Sequence, residues 1–178
     1  MKACTAQSVA FKPLVSRMKV DIKTPRGIFR ITLSAKGVYR VQFPRKRTWA
    51  KKLRISHQRR QETRRFREVL KLYFQGRQVS FSKIKVDWEG YSKFEVRVLK
   101  KLRNISWGRT ITYQELGRMA SSPGSARAVG QALKKNRTPL IIPCHRVVKA
   151  GSYLGGFSQG LFWKRRLLRL EKQTRFKS

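Results

Sequence analysis

An apolar run broken by one proline constrains this chain most. Residues 141–148 read Ile141-Ile142-Pro143-Cys144-His145-Arg146-Val147-Val148. Pro143 has no amide hydrogen and its ring clashes with a preceding helical turn, so no helix runs through the segment. The apolar residues on both sides demand burial. The thiol, imidazole and guanidinium between them therefore belong to a pocket wall, not an open loop. A thiol beside an imidazole and a guanidinium is a setting that lowers a cysteine pKa and yields a usable nucleophile.

The chain before this segment divides in two. Met18 to Phe43 carries alternating β-branched residues with breaks at Thr24-Pro25-Arg26-Gly27 and Ser34-Ala35-Lys36-Gly37. This is the pattern of a three-strand meander ended by Pro44. Arg45 to Arg60 is dominated by Lys and Arg and reads as a solvated basic loop, with His57 a surface histidine. Phe66, Val69, Leu70 and Tyr73 fall at helical spacing within Gln58 to Gln75, and Gly76 is a stop. Leu72-Tyr73-Phe74-Gln75-Gly76 looks like a protease-tag scar, but a tag would have Glu where Leu70 stands and Tyr73 completes the stripe, so it reads as native. Val79 to Val86 alternates as a short strand or extended segment, and Asp87-Trp88-Glu89-Gly90 marks a boundary.

The second half is helical. Ser92 caps a helix through Leu102, with Phe94, Val98, Leu99 and Leu102 on one side. Thr112-Tyr113-Gln114-Glu115 is a capping box opening a short helix to Met119. After the turn Ser121-Ser122-Pro123-Gly124, a helix spans Ser125 to Lys135, giving the outline of a helix-turn-helix. Ala126, Ala128, Gly130 and Ala132 are small, so this helix can approach another helix or a DNA groove closely. Arg127, Lys134 and Lys135 favour DNA. A last amphipathic helix buries Trp163, Leu167, Leu168 and Leu170. Its outer face is assigned to Lys164, Arg165, Arg166 and Arg169, and Glu171 sits at its end as a surface acid by default. The expected architecture is α+β. An N-terminal extension covers 1–17, an N-terminal α/β domain of antiparallel sheet plus helix covers 18–90, and a mostly helical domain with the helix-turn-helix covers 91–178.

Charge narrows the partner. The 178 residues hold 44 Lys and Arg against 8 Asp and Glu, a net charge of +36. Such a surface repels itself and calls for a polyanion, nucleic acid first, because binding phosphates releases their counterions. The surplus exceeds what one DNA footprint uses. Cys4 and Cys144 read as free thiols of a reducing intracellular compartment. That places the protein in a prokaryotic cytoplasm and nucleoid, or in a eukaryotic nucleus. No apolar run is long enough to span a bilayer, and the N-terminus lacks the pattern of a secretory signal.

Together these motifs resemble the O6-alkylguanine-DNA alkyltransferases, also called methylated-DNA–protein-cysteine methyltransferases. The resemblance rests on Ile142-Pro143-Cys144-His145-Arg146-Val147-Val148, Trp107-Gly108, Thr112-Tyr113-Gln114-Glu115-Leu116, Ala126-Arg127-Ala128-Val129-Gly130 and Asn136. Downstream it continues through Gly155, Ser158, Gly160 and Leu170-Glu171. It is strong from Phe94 to Glu171. The N-terminal part is similar in kind only, where the family carries a ribonuclease-H-like domain.

The resemblance implies roles by position. Cys144 would accept the alkyl group, His145 would draw its proton through a water, and Glu171 would orient the histidine. Asn136 would brace the turn into the site. Arg127 would fill the gap left by a flipped nucleotide, and Tyr113 would press on its phosphate and donate toward guanine N3. The helix-turn-helix would enter the minor groove, with Ala126, Ala128, Gly130, Lys134 and Lys135 along the DNA. The carbonyls of Cys144 and Val147 and the Ser158 amide would face the base, and Pro139, Gly155, Gly156, Phe157 and Gln159 would complete the pocket.

The implied activity is single-turnover repair of O6-alkylguanine, and of O4-alkylthymine, in duplex DNA by a monomer. No cofactor or metal is implied. Three positions depart from the family pattern: Phe157 stands where many members have Tyr, Gln159 where Gly is frequent, and Lys172 where Gly is common. A longer Gln159 at the mouth would restrict O6-benzyl substrates more than O6-methyl. The alternatives differ in class. An alkyltransferase-like binding protein would lack Cys144. A plain helix-turn-helix protein leaves the Cys144-His145-Arg146 run and Glu171 unexplained. A cysteine hydrolase needs a distant base, for which His57 is a weak candidate. A ribosome-associated basic protein is supported by charge alone.

Overall fold

The structure, a computed structural model, describes residues 17–44 and 57–171. Cys4, residues 1–16 and residues 45–56 of the basic stretch lie outside the described residues. Strands β1 (Met18–Thr24), β2 (Gly27–Ser34) and β3 (Gly37–Gln42) form an antiparallel sheet in sequence order. Its register runs from Met18 opposite Leu33 to Thr24 opposite Gly27, with a bulge between Thr32 and Leu33. Gly37 is required at the second turn. Its φ is 135°, and a Cβ there would lie 2.6 Å from the Lys85 carbonyl oxygen.

The Val79–Val86 segment is not a continuous strand: it turns at Ser82–Lys83, where Ile84 N donates to the Phe81 carbonyl at 3.0 Å, and it meets the sheet in a single bridge between Val38 and Val86. Helix α1 (His57–Phe74) lies against the sheet and inserts Phe66, Leu70, Tyr73 and Phe74 into the core. The chain turns at Asp87–Gly90 into α2 (Lys93–Arg103), which starts with a full capping box between Ser92 and Glu95.

Short strand β4 (Ile111–Thr112) leads into α3 (Tyr113–Met119), where Thr112 and Glu115 make the expected box. A turn joins it to α4 (Ala126–Lys134). The two helices pack closely because Gly117 has no side chain: a Cβ would lie 3.0 Å from Ser125 Oγ and 3.1 Å from the Ser122 carbonyl. A 3₁₀ turn at Cys144–Arg146 precedes β5 (Val147–Val148), which pairs in parallel with β4. Helix α5 (Leu161–Leu170) closes the described chain.

The two halves share one apolar core. Trp163 of α5 packs edge-on against Phe29 and Phe43 of the sheet side, at ring-centre distances of 5.8 and 5.0 Å. Tyr73 of α1 meets Trp107 at 5.0 Å. Arg137 ties the halves by its backbone as well, its carbonyl accepting from Val41 N at 2.8 Å. The architecture is mixed α/β with a small antiparallel sheet and, among the described residues, five α-helices.

Candidate active site

Asn136 follows Lys135, the cap of α4, and builds the site. Its buried Oδ1 accepts from Thr138 N at 3.0 Å, and its Nδ2 lies 3.0 Å from both the Ile142 carbonyl and Cys144 Sγ. These bonds fold residues 136–144 into a tight turn in which buried Leu140 takes φ 77°. That left-handed conformation costs a branched residue about 1–3 kcal/mol and persists only where its surroundings enforce it. The turn delivers Pro143 as the cap of the 3₁₀ turn, so Cys144 sits at the start of a rigid, fully buried segment.

Cys144 opens onto a cavity of about 650 Å³, lined by Tyr113, α4 residues Ala126, Arg127, Gly130, Gln131, Leu133 and Lys134, and by Lys149, Gly156, Phe157 and Ser158. Tyr113, Ala126, Arg127, Gly130, Lys134, Cys144, Gly156, Phe157 and Ser158 are thus brought together as the motifs implied. Gln131, Leu133 and Lys149 join them without a sequence signal of their own. Other residues implied by position stand elsewhere. Ala128 is exposed on α4 outside this lining. Lys135 is paired with Glu95 at 2.6 Å. Pro139 and Val147 are buried behind the wall. Gly155 lies beneath Tyr113, where a Cβ would come within 3.0 Å of the phenol oxygen. Gln159 faces a neighbouring cavity of about 480 Å³ shared with Tyr39, Tyr91 and Arg137. The narrowing expected from Gln159 has no counterpart in the lining of the Cys144 cavity.

Charge around the thiol differs from the sequence reading. Arg146 does not face the sulfur. Its guanidinium turns inward, donating to Glu171 through Nε at 2.8 Å and Nη2 at 2.9 Å, and through Nη1 to the Ile105 carbonyl. Burial pushes the Cys144 thiol up to about 11, against the Asn136 hydrogen bond and the charge of Lys164, which both pull it down. The thiol therefore waits protonated, and its proton must leave in the reaction itself.

Lys164 corrects a second assignment. It was placed on the outer face of α5, but it is fully buried, its Nζ donating to the Val147 carbonyl at 2.6 Å and the Gly156 carbonyl at 3.2 Å. Burial lowers its pKa to about 8. A signal was present. Lys164, Leu167, Leu168 and Glu171 recur at i, i+3, i+4 and i+7, one helical face, and all four are at most 1% exposed. The surface default for Glu171 fails for the same reason.

Glu171 is the most heavily bonded group of the site. Oε1 accepts from Tyr73 Oη at 2.7 Å, His145 Nε2 at 2.9 Å and Arg146 Nη2, while Oε2 accepts from Arg146 Nε and from Gly108 N at 3.3 Å. Burial raises this carboxyl, but the charges and hydrogen bonds of His145 and Arg146 outweigh it and hold the group well below the ordinary carboxylate range. At neutral pH Arg146 carries that effect. Burial lowers the His145 pKa, with Glu171 opposing, so the imidazole is neutral there. A neutral imidazole facing an ionised carboxylate through Nε2 must carry its proton on Nε2. Nδ1 is left bare, and it is buried with no hydrogen-bond partner among the described residues. A histidine oriented by a carboxylate with its other nitrogen bare is a general base ready for a proton.

The chain that carries this thiol is similar to known proteins. Residues 93–173 match the family model described as 6-O-methylguanine DNA methyltransferase, DNA binding domain. The crystal structure of the Mycobacterium tuberculosis O6-methylguanine methyltransferase is similar with a TM-score of 0.71 at 29% identity, covering 88% of this chain and 93% of that one. The same organism's protein in complex with DNA gives a TM-score of 0.69 at 30% identity, covering 86% and 92%. This chain belongs to the methylated-DNA–protein-cysteine methyltransferase family. Family members from Sulfurisphaera tokodaii and Metallosphaera sedula are 45% and 46% identical over 102 and 99 residues, 57% and 56% of this chain. Those alignments span 63% and 61% of the two relatives' own length.

Proposed function

We propose that this protein repairs DNA by direct reversal, moving the alkyl group of O6-alkylguanine, and of O4-alkylthymine, onto Cys144. The observation that carries this reading is Cys144 itself: a buried thiol facing a cavity one wall of which is α4, held by Asn136 and flanked by the His145–Glu171 pair. The family match through residues 93–173 supports it, as do relatives named methylated-DNA–protein-cysteine methyltransferase.

In this reading α3 and α4 act as a helix-turn-helix in the minor groove. The target nucleotide leaves the stack and enters the cavity, since in-line attack on an alkyl carbon is blocked while the base is stacked. Unstacking costs a few kcal/mol, less for a badly paired lesion. Arg127, exposed at the first turn of α4, fills the gap as a planar cation. Tyr113 presses on the phosphate and donates toward guanine N3, and the Ser158 amide faces O6.

His145 Nδ1 takes the thiol proton through a water as the sulfur attacks. The S–C bond forms, the C–O6 bond breaks, and the electron pair goes to O6, so that the nucleotide, still part of the DNA strand, becomes unmodified guanine once the base takes up a proton. The thioether resists water, so each molecule acts once, as a monomer and in a reducing compartment.

Incubation with a duplex holding one radiolabelled O6-methylguanine tests this. The expected result is stoichiometric label on the protein, lost in Cys144→Ala with DNA binding kept. Binding without transfer by the unmodified protein overturns the reading and favours an alkyltransferase-like binder.

A further inference from the structure

Tyr73 lies on α1, far in sequence from the site, and is fully buried among Phe74, Phe81 and Trp107. Packing alone would be met by Phe. Its hydroxyl is instead 2.7 Å from Glu171 Oε1 and 3.4 Å from His145 Nε2. A buried phenol must find a partner, and here the partner is the oxygen that also holds the base. Burial and the charge of Glu171 keep the phenol protonated far above its ordinary range. It is therefore a permanent donor.

We propose that Tyr73 is a positioning residue for alkyl transfer: through Glu171 Oε1 it tunes the proton affinity of His145, so that the N-terminal half works as part of the acceptor site. The inference rests on the alkyl-transfer reading above. Three donors share Oε1. The Tyr73 hydroxyl takes a share of the negative charge that would otherwise stabilise an imidazolium. The other groups facing His145 are Glu171 and Lys164 from α5 and Arg146 and Cys144 from its own turn. Of these, Glu171 raises its proton affinity, and Arg146 and Lys164 lower it. Tyr73 lowers it by competing for the one group that raises it.

Tyr73→Phe removes the competitor and keeps the ring. The remaining Nε2–H bond to Oε1 strengthens, and the acid limb of the pH–rate profile moves up by about one unit, a tenfold change in the protonated fraction. Site-specific 3-fluorotyrosine at the same position, a stronger donor, moves the limb down. Both are read in single-turnover transfer from the labelled duplex across a pH series, using the full chain. Nitrogen-15 chemical shifts of His145 give a second readout independent of activity. The expected tautomer is Nε2–H in the unmodified protein, with Nδ1 gaining a proton at higher pH in Tyr73→Phe.

A lowered melting temperature with unchanged acid limb and unchanged histidine shifts would overturn the proposal, leaving Tyr73 a packing residue. If Tyr73→Phe does not fold, the fluorotyrosine variant, altered at one ring position, decides by the same two readouts. Failure of the unmodified protein to transfer label sinks the alkyl-transfer reading instead, and the histidine shifts still judge the Tyr73–His145 link.

Discussion

Replacing Glu171 by Gln keeps the shape of the group and removes its charge. Tyr73 Oη, His145 Nε2, Arg146 Nε and Nη2, and Gly108 N all point donors at the carboxylate. An amide must place its NH₂ at one of the two oxygen positions, so a donor meets donors whichever way it turns. The Arg146 side chain is 7% exposed, and its bond to the Ile105 carbonyl supplies no counter-charge. Removing one partner of a buried ion pair costs about 3–5 kcal/mol, because the other charge is stranded. For a chain of this size each kcal/mol shifts the melting temperature by roughly 2–4 °C, so the loss is about 6–20 °C near pH 7.

The pH dependence has a fixed sign. Glu171 is held below its unfolded value of about 4.3. Its stabilisation is fully present above that value and is lost as pH falls toward the folded pKa. Melting curves of the two proteins should therefore be furthest apart near neutrality and converge progressively below about pH 4.5. A difference under about 2 °C near pH 7, or one that stays constant into acid, would refute the assignment of Arg146 and Glu171 as a charged buried pair.

Other expectations follow from the same geometry. Lys164 has a pKa lowered to about 8, so the unfolded chain binds more protons above that pH and stability rises with pH. Against Lys164→Met, this gains about 1 kcal/mol between roughly pH 8 and 9, readable in urea melts; Cys144, raised to about 11 in the folded chain, acts in the opposite sense from its unfolded value of about 8.5 upward, but it does so in both proteins and drops out of the difference. Asn136→Ala strands the Thr138 amide and leaves the Ile142 carbonyl with only its bond from Cys144 N, and should cost about 1–3 kcal/mol. It also raises the thiol pKa further, slowing iodoacetamide alkylation of Cys144; unchanged alkylation would show that the 3.0 Å contact is without effect. Gly155→Ala puts a Cβ 3.0 Å from Tyr113 Oη at a φ of 62°, so alkyl transfer should fall at least tenfold while the fold survives with a strain of about 1–2 kcal/mol. Neutralising Arg127 or Lys134 should flatten the log–log salt dependence of DNA binding by about 0.9 per lost phosphate contact; equal slopes would remove that residue from the interface.

Sequence alone determined what depends on neighbours along the chain. The turns at Gly27 and Gly37, the capping box at Thr112, the end of α1 at Gly76 and the helix pair around the Ser121–Gly124 turn are all local, because caps and turns are satisfied by backbone groups a few residues away. The Pro143-Cys144-His145 run likewise announced a buried thiol with a base beside it. What only the tertiary structure decided are the groups whose partners lie across the fold. Arg146 was legible as a cation near a cysteine, but its direction depends on a carboxylate 25 residues away. Tyr73 fitted a helix stripe equally well as packing or as a hydrogen-bond donor, and only its approach to Glu171 separates the two. Lys164 shows why. A lysine on a helix is solvated unless buried acceptors replace the water, and the Val147 and Gly156 carbonyls that accept from Lys164 are brought together by the packing of α5 against the site.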